Sequence, residues 1–240
     1  MSKYHSILSI AWSFTFDMEL IVGEDQLYFL HPFTMTLAGG RRTGKTHFTK
    51  SLLEHNRNFI SPLIETIIWF HGASQQHILN ELVEKVKSSG QHIEFFQGLP
   101  QDKTIQELLV NFSGQKLIVL DDLMETACNR ADVAALFTHG RHENVSVIFL
   151  TQNFFHKSKY ARDISLNTDY AVLFKSTRDP STVTHLGQQM NNAKFLKQAY
   201  RSATINPFSH LFIDMRSDTP EQLRYRSNVL GETQMVYQPI

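Results

Sequence analysis

A glycine-rich loop, two adjacent carboxylates and an amide at a strand end are the groups in this sequence with chemistry to offer. Gly39-Gly40-Arg41-Arg42-Thr43-Gly44-Lys45-Thr46 fits G-x-x-x-x-G-K-[ST], the loop that wraps the phosphates of a bound nucleotide. At that spacing Gly39 and Gly44 permit backbone angles and close approaches that a Cβ would hinder. Successive backbone N–H groups then converge on phosphate oxygens, backed by the positive end of the helix that follows. The expected nucleotide-binding stretch runs from Gly39 through His47. Lys45 is expected to reach the β- and γ-phosphates, and the Thr46 hydroxyl to complete the coordination of Mg²⁺.

The carboxylates close the run Lys116-Leu117-Ile118-Val119-Leu120-Asp121-Asp122. A central parallel strand is apolar on both faces, and its C-terminal end points to the ligand crevice. Asp121 is expected to hold Mg²⁺ through water, and Asp122 to orient or polarise an attacking water. Any buried strand entering a turn can look like this. Placed after a phosphate loop, with a strand and helices between, the pair reads as the second half of a nucleotide site. The amide is Gln152, just beyond the apolar run Val145-Ser146-Val147-Ile148-Phe149-Leu150. It either sits beside the γ-phosphate and reports its presence or caps a backbone group. Further on, Lys157, Lys159 and Arg162 are interleaved with Phe154, Phe155 and Tyr160. Such a segment suits a nucleic-acid backbone with some base or sugar contact, and equally describes a solvated connector.

These groups need strands to carry them. Leu27-Tyr28-Phe29-Leu30 and Phe33-Thr34-Met35-Thr36-Leu37 precede the loop with strand composition, and Phe48, Leu52 and Leu53 follow it on one helical face. Further strands are expected over 66–70, 92–96, 145–150, 170–175 and 210–214, and a last extended piece over 223–229. Helices are expected over 75–88, 104–111, 125–139, 181–190 and 193–203. Strand-like alternation over 6–16 and a turn at Gly23-Glu24-Asp25-Gln26 mark an extension before the first domain strand. The expected organisation is therefore an extension over 1–26, a nucleotide domain over 27–230 and a tail over 231–240.

Composition narrows the class. The 240 residues, 42% hydrophobic and 19% charged, suit one globular α/β domain with small additions. Lys and Arg total 23, as do Asp and Glu, so a nucleic-acid contact must come from a local patch rather than global charge. A single cysteine, Cys128, excludes an internal disulfide and suits a reducing compartment. No apolar run approaches the roughly 20 residues of a membrane span, and Asp17 and Glu19 interrupt any signal-peptide pattern. The expectation is a soluble, intracellular protein without a membrane partner. The histidines lack cysteine or carboxylate partners at metal-site spacing, so no zinc is assigned.

Gly44-Lys45-Thr46, Val119-Leu120-Asp121-Asp122, Gly140-Arg141-His142 with Ser146, and Leu150-Thr151-Gln152-Asn153 together resemble the viral genome-packaging ATPases of the FtsK/HerA superfamily. The likeness is to poxvirus-type motors and the short versions in Polinton-like and adintovirus-like elements, over residues 27–215. It implies an additional-strand P-loop NTPase, with a mostly parallel central sheet flanked by helices. It also implies a homo-oligomeric ring hydrolysing ATP, with Mg²⁺, to drive double-stranded DNA into a preformed capsid. The partners would be DNA and a capsid or portal protein, in host nucleus or cytoplasm where virions assemble. Carried over by position, Lys45 and Thr46 bind phosphates and Mg²⁺, Asp121 binds the metal and Gln152 is the sensor. Arg141 is either a finger reaching a neighbour's ATP or a surface arginine suited to a helix end. Many relatives carry Asp-Glu where this chain has Asp121-Asp122, which leaves Glu125 as an alternative water-polarising group. Two other functions use the same loop: a phosphotransferase acting on a small molecule, and a nucleotide-binding interaction protein without turnover.

Overall fold

From Leu117 to Asp121 every side chain is buried, and successive residues face opposite ways. Leu117 and Val119 join Trp69, Ile148 and Leu150 on one face, while Ile118 and Leu120 join Ile68, Val147 and Phe149 on the other. A strand apolar on both sides must be covered on both sides, and helices do this throughout the molecule.

The computed structural model describes residues 7–8, 18–23, 28–72, 76–177 and 179–239, with the side chains at 7–8, 18–23 and 76–80 excepted. The chain begins with β1 (Ile7–Leu8), β2 (Met18–Gly23), β3 (Phe29–Leu30), β4 (Thr34–Ala38), α1 (Lys45–Glu54), α2 (Asn56–Phe59), β5 (Ile60–Ser61) and β6 (Thr66–His71). It continues with α3 (Gln76–Ser88), β7 (His92–Gln97), α4 (Ile105–Leu109), β8 (Lys116–Asp121), α5 (Met124–Ala127) and α6 (Ala131–His139). A 3-10 turn (Gly140–Glu143) leads to β9 (Val145–Thr151), α7 (Ala161–Leu166), β10 (Tyr170–Phe174), α8 (Ser181–Gln189) and α9 (Ala193–Ala203). A second such turn (Glu221–Leu223) separates β11 (His210–Asp214) from β12 (Tyr225–Ser227) and β13 (Gln234–Pro239).

The main sheet has the order β1-β2-β13-β12-β11-β10-β4-β9-β8-β6-β7, and β3 pairs with β5 beside it. Neighbours from β10 to β7 are parallel, and those from β10 out to β1 are antiparallel. The fold is the expected α/β P-loop arrangement, with the mostly parallel central sheet carrying an antiparallel meander on one side. Helix α1 packs with α3, and α8 packs with α9 under the meander. Strand β9 lies between the loop-bearing β4 and the carboxylate-bearing β8, which is the additional-strand order. Its register aligns Thr151 with Ala38 and Leu150 with Asp121, bringing three strand ends to one edge.

Several elements differ from expectation. The helix expected over 125–139 is broken, because Arg130 is extended and its guanidinium binds the Asp132 carboxylate. Asp132 in turn accepts from the backbone of Ile105 and Val133, so these bonds hold the start of α6 in place. Helix α7 begins within the basic, aromatic segment, for which no helix was expected; its signal is the buried Ala161 and Ile164 three residues apart. The 231–240 stretch, expected as a tail, contains β13, which pairs with both β12 and β2. Strand β2 itself falls within the expected extension, so the sheet runs across both divisions. Apart from Ile7–Leu8, the alternation over 6–16, like the turn residues 24–26, lies outside the described residues. Among the described residues no helix is long and apolar enough to cross a membrane.

Candidate nucleotide site

The two key glycines of the loop are needed for different reasons. Gly44 has φ +105°, a left-handed conformation that L side chains rarely adopt. At Gly39 the constraint is space: a Cβ would lie 2.7 Å from the Cβ of Phe174 and 3.0 Å from the Thr43 hydroxyl. Phe174 ends β10 and is held there by α9, since the Tyr200 hydroxyl donates to its carbonyl at 2.9 Å and accepts from Ser176 N–H at 2.8 Å. Helix α1 starts directly after Gly44 with no side chain capping its first turn and no acidic residue in it. Its free N–H groups therefore face the loop, an arrangement that binds phosphate.

Lys45 donates to the carbonyls of Gly39 at 2.6 Å and Gly40 at 2.7 Å, so its ammonium lies within the cradle. Burial pulls its pKa down, and the nearby Asp121 and Asp122 oppose that shift. The Thr46 hydroxyl donates to Asp121 Oδ2 at 3.2 Å, joining the first turn of α1 to the end of β8. Asp121 is only 4% exposed, and desolvation pushes its pKa up to about 6; Asp122 adds to the rise, while Thr46, Lys45 and His71 oppose it. A buried carboxylate beside a hydroxyl and an ammonium suits a divalent cation, because the cation's charge would relieve the desolvation that now raises the carboxyl pKa.

Asp122 is exposed and adopts φ +57°. The chain therefore turns sharply as β8 ends, so that Asp121, bound by Thr46, and Asp122 both reach the same cavity. The turn fits against Gly72, where a Cβ would stand 3.1 Å from the Asp122 carbonyl and 3.4 Å from its Cβ. Asp122, Gln152, Thr46, Lys45 and His47 all line one cavity of about 1080 Å³, together with Arg41, Arg42, Thr43 and Gly44. Gly39 and Gly40 form the back of the loop behind it. Glu125 is exposed on α5 and is not part of this lining.

Arg141 is at the other end of β9, in the turn that precedes the strand. At about 3.3 Å per residue, the seven-residue strand puts it roughly 20 Å from the Gln152 end. Its guanidinium binds Asp169, whose other carboxylate oxygen accepts from Thr34 N–H at 2.9 Å. That pair ties together the entrances of β9, β10 and β4. Lys157, Lys159 and Arg162 are exposed beyond Gln152, outside the cavity. The aromatics among them are less free: Phe154 is 5% exposed in the core, and Phe155 packs on it with ring centroids 5.1 Å apart. Burial takes Phe154 out of the expected nucleic-acid contact; Phe155 and Tyr160 stay half-exposed, and Lys159 lies 5.0 Å over the Tyr160 ring.

The far wall of the cavity was not anticipated from the sequence. Phe174, Phe208, His210, Asn228, Leu230 and Gly231 form it, from β10, the loop between α9 and β11, and the antiparallel meander. The one local signal is Asn206-Pro207, a turn-forming pair just before Phe208.

Comparison with solved structures finds one with the same fold. A genome packaging NTPase, B204 of Sulfolobus turreted icosahedral virus 2, in complex with ATP-gammaS, aligns at TM-score 0.50 and 16% identity over 87% of this chain and 98% of its own. ATPases 2 and 3 of Thermomonospora curvata EccC align at TM-score 0.44 and 14% identity, covering 86% of this chain but 36% of theirs. Comparison with curated protein sequences gives no match. The model of the poxvirus A32 protein family matches residues 24–191, well over half of the sequence and every phosphate-site motif in it. Together with the additional-strand sheet and the loop geometry, that match places the chain in the poxvirus A32 protein family.

Proposed function

We propose that this protein is an ATP-hydrolysing motor that moves double-stranded DNA, packaging a viral genome into a capsid as a ring of identical subunits. The observation that carries the reading is the position of β9. It sets Gln152 between the Asp121-Asp122 pair on one side and the phosphate loop on the other, in one cavity. Membership of the poxvirus A32 family and the fold shared with a genome packaging NTPase support it.

In this reading each residue has a distinct task. Loop N–H groups and Lys45 bind and orient the phosphates, and Lys45 stabilises charge that develops on the leaving oxygen. Thr46 and Asp121 would hold Mg²⁺, which when bound neutralises phosphate charge and helps align the reacting groups. Asp122, exposed in the cavity, orients the attacking water and accepts its proton. Gln152 hydrogen-bonds the water or the terminal phosphate, so that β9 registers whether that phosphate is present. Arg141, remote from its own cavity, serves a neighbour's site if it acts as a finger. Lys157, Lys159 and Arg162 offer phosphate contacts to the DNA backbone.

ATP turnover measured with and without long duplex DNA tests the motor reading. Strong stimulation is expected. Replacing the three basic residues together should remove much of that stimulation and lower the log–log salt slope of duplex binding by about 0.9 per lost contact. Turnover indifferent to DNA would exclude translocation and favour a phosphotransferase or a non-motor ATPase.

A further inference from the structure

The cavity is wider than a phosphate site requires, and its two sides differ in kind. The phosphate loop follows β4, which has β9 and then β8 on one side and β10 and then β11 on the other. The β8–β9 side supplies Asp121, Asp122 and Gln152, and so defines where the terminal phosphate lies. A nucleotide anchored by its phosphates must extend its base away from that end, over β10 and β11. There the lining becomes aromatic and aliphatic, with Phe174, Phe208 and Leu230.

Phe208 is unusual on two counts. Its side chain is 69% exposed, and its backbone is left-handed at φ +64°, a conformation rare for a bulky residue. Such an outlier persists only where its surroundings hold it, and it points toward function. The surroundings are visible. A Cβ at Gly44 would lie 3.4 Å from both the Phe208 Cβ and the Phe174 ring, so Phe208 stands directly against the phosphate loop. Two residues on, at the start of β11, the His210 ring is held by Phe48 and Phe174 at centroid distances of 4.9 and 5.3 Å. The neighbouring β12–β13 turn is shaped by Asn228, which donates to the Thr233 carbonyl at 2.7 Å and packs against Gly231.

Resting on the reading of this cavity as a nucleoside triphosphate site, we infer that Phe208 is the platform on which the nucleobase stacks, with Leu230 opposite, giving a preference for purines. Stacking is tolerant of base identity but grows with the area of the ring. The base side of this site therefore selects by surface and not by hydrogen-bond pattern.

The test compares ATP, GTP, CTP and inorganic tripolyphosphate binding to the full chain, alongside thermal melting. The variants are Phe208→Asn, Phe208→Ala and Phe208→Trp. Asparagine accepts left-handed φ readily, so Phe208→Asn should melt at or above the parental temperature. It should nonetheless bind ATP roughly tenfold more weakly, the scale of a lost base–aromatic stack, with tripolyphosphate affinity unchanged. The purine preference should disappear with the ring, and Phe208→Trp should keep both affinity and preference. An equal loss of ATP and tripolyphosphate affinity would overturn the inference, making Phe208 a support for the loop. Unchanged ATP affinity would overturn it too, leaving the exposed ring to another purpose such as a subunit contact. Failure of the phosphate-site reading is separately visible, because tripolyphosphate would then not bind the parental protein.

Discussion

The two walls of the cavity are made by different halves of one sheet, and they solve opposite physical problems. The parallel wall buries a carboxylate, Asp121, and surrounds it with a hydroxyl, an ammonium and a second acid. The antiparallel wall buries an imidazole, His210, between aromatic rings and leaves Phe208 exposed. Both burials disfavour charge, yet the titrations move in opposite directions: Asp121 rises to about 6 and His210 falls to about 4. One wall stores unfavourable charge for chemistry. The other excludes charge and offers surface. The phosphate loop joins them, so each wall can be disabled separately only if the loop is left intact.

The largest effect should come from removing what the walls share. Lys45→Ala takes the ammonium out of the cradle, and turnover should fall below detection while ATP and tripolyphosphate binding weaken together. Parental turnover in this variant would show that the chemistry lies elsewhere.

Next in size is Arg141, which belongs to neither wall of its own subunit. If the parallel wall is completed by a neighbour, Arg141→Ala should leave ATP binding to an isolated subunit nearly intact and lower turnover in the assembled ring by roughly 10³. Lysine should rescue poorly, lacking the planar fork. Mixing Arg141→Ala subunits with Lys45→Ala subunits should recover activity. Co-assembly without recovery would confine Arg141 to its bond with Asp169.

Asp122→Asn probes the parallel wall alone. It keeps the size and the tolerance for left-handed backbone but removes the charge, so kcat should drop by about two powers of ten with ATP binding retained. A near-normal kcat would transfer the role to another carboxylate, Glu125 first.

The smallest and most direct comparison is in stability, measured without nucleotide or metal. The folded pKa of Asp121 is raised from 3.8 to about 6, so its contribution is fully present below pH 3.8 and lost as pH rises through 6. Asp121→Asn should therefore stabilise the protein at pH 8 by as much as about 3 kcal/mol, the advantage shrinking toward pH 4. His210 runs the other way. Its pKa is depressed from 6.5 to about 4, so its contribution is present above pH 6.5 and lost as pH falls toward 4. His210→Phe should flatten the acid side of the melting profile, whatever it does at pH 8. Profiles that shift in the same direction would mean that the two walls are not electrostatically opposed.

The parallel wall was legible in the sequence and the antiparallel wall was not, for a physical reason. Lys45, Thr46, Asp121 and Gln152 each sit at the end of a strand or the start of a helix whose apolar pattern is strong and local. Their spacing reports geometry because parallel strands place their C-terminal ends along one edge. Phe208 comes from the α9–β11 connection and Asn228 and Leu230 from the β12–β13 turn, and their meeting depends on strand order, which periodicity does not encode. The pairing of β13 with β2 brings together chain segments from the two ends of the sequence, each unremarkable by itself. Arg141 was legible as a motif residue, but its distance from the cavity is a property of which end of β9 it occupies.

One strand shapes the chemistry without placing a side chain in the cavity. Strand β6 ends at His71, and Gly72 lies against the turn that presents Asp122. The orientation of that carboxylate thus depends on a hydrogen atom where any other residue would carry carbon. A methyl group there would stand 3.1 Å from the Asp122 carbonyl and 3.4 Å from its carboxylate oxygen, so the Asp122 backbone would have to give by a few tenths of an ångström. Gly72 acts as a steric permission, and a change at this position would turn a competent site into a misaimed one while every recognisable motif stayed in place.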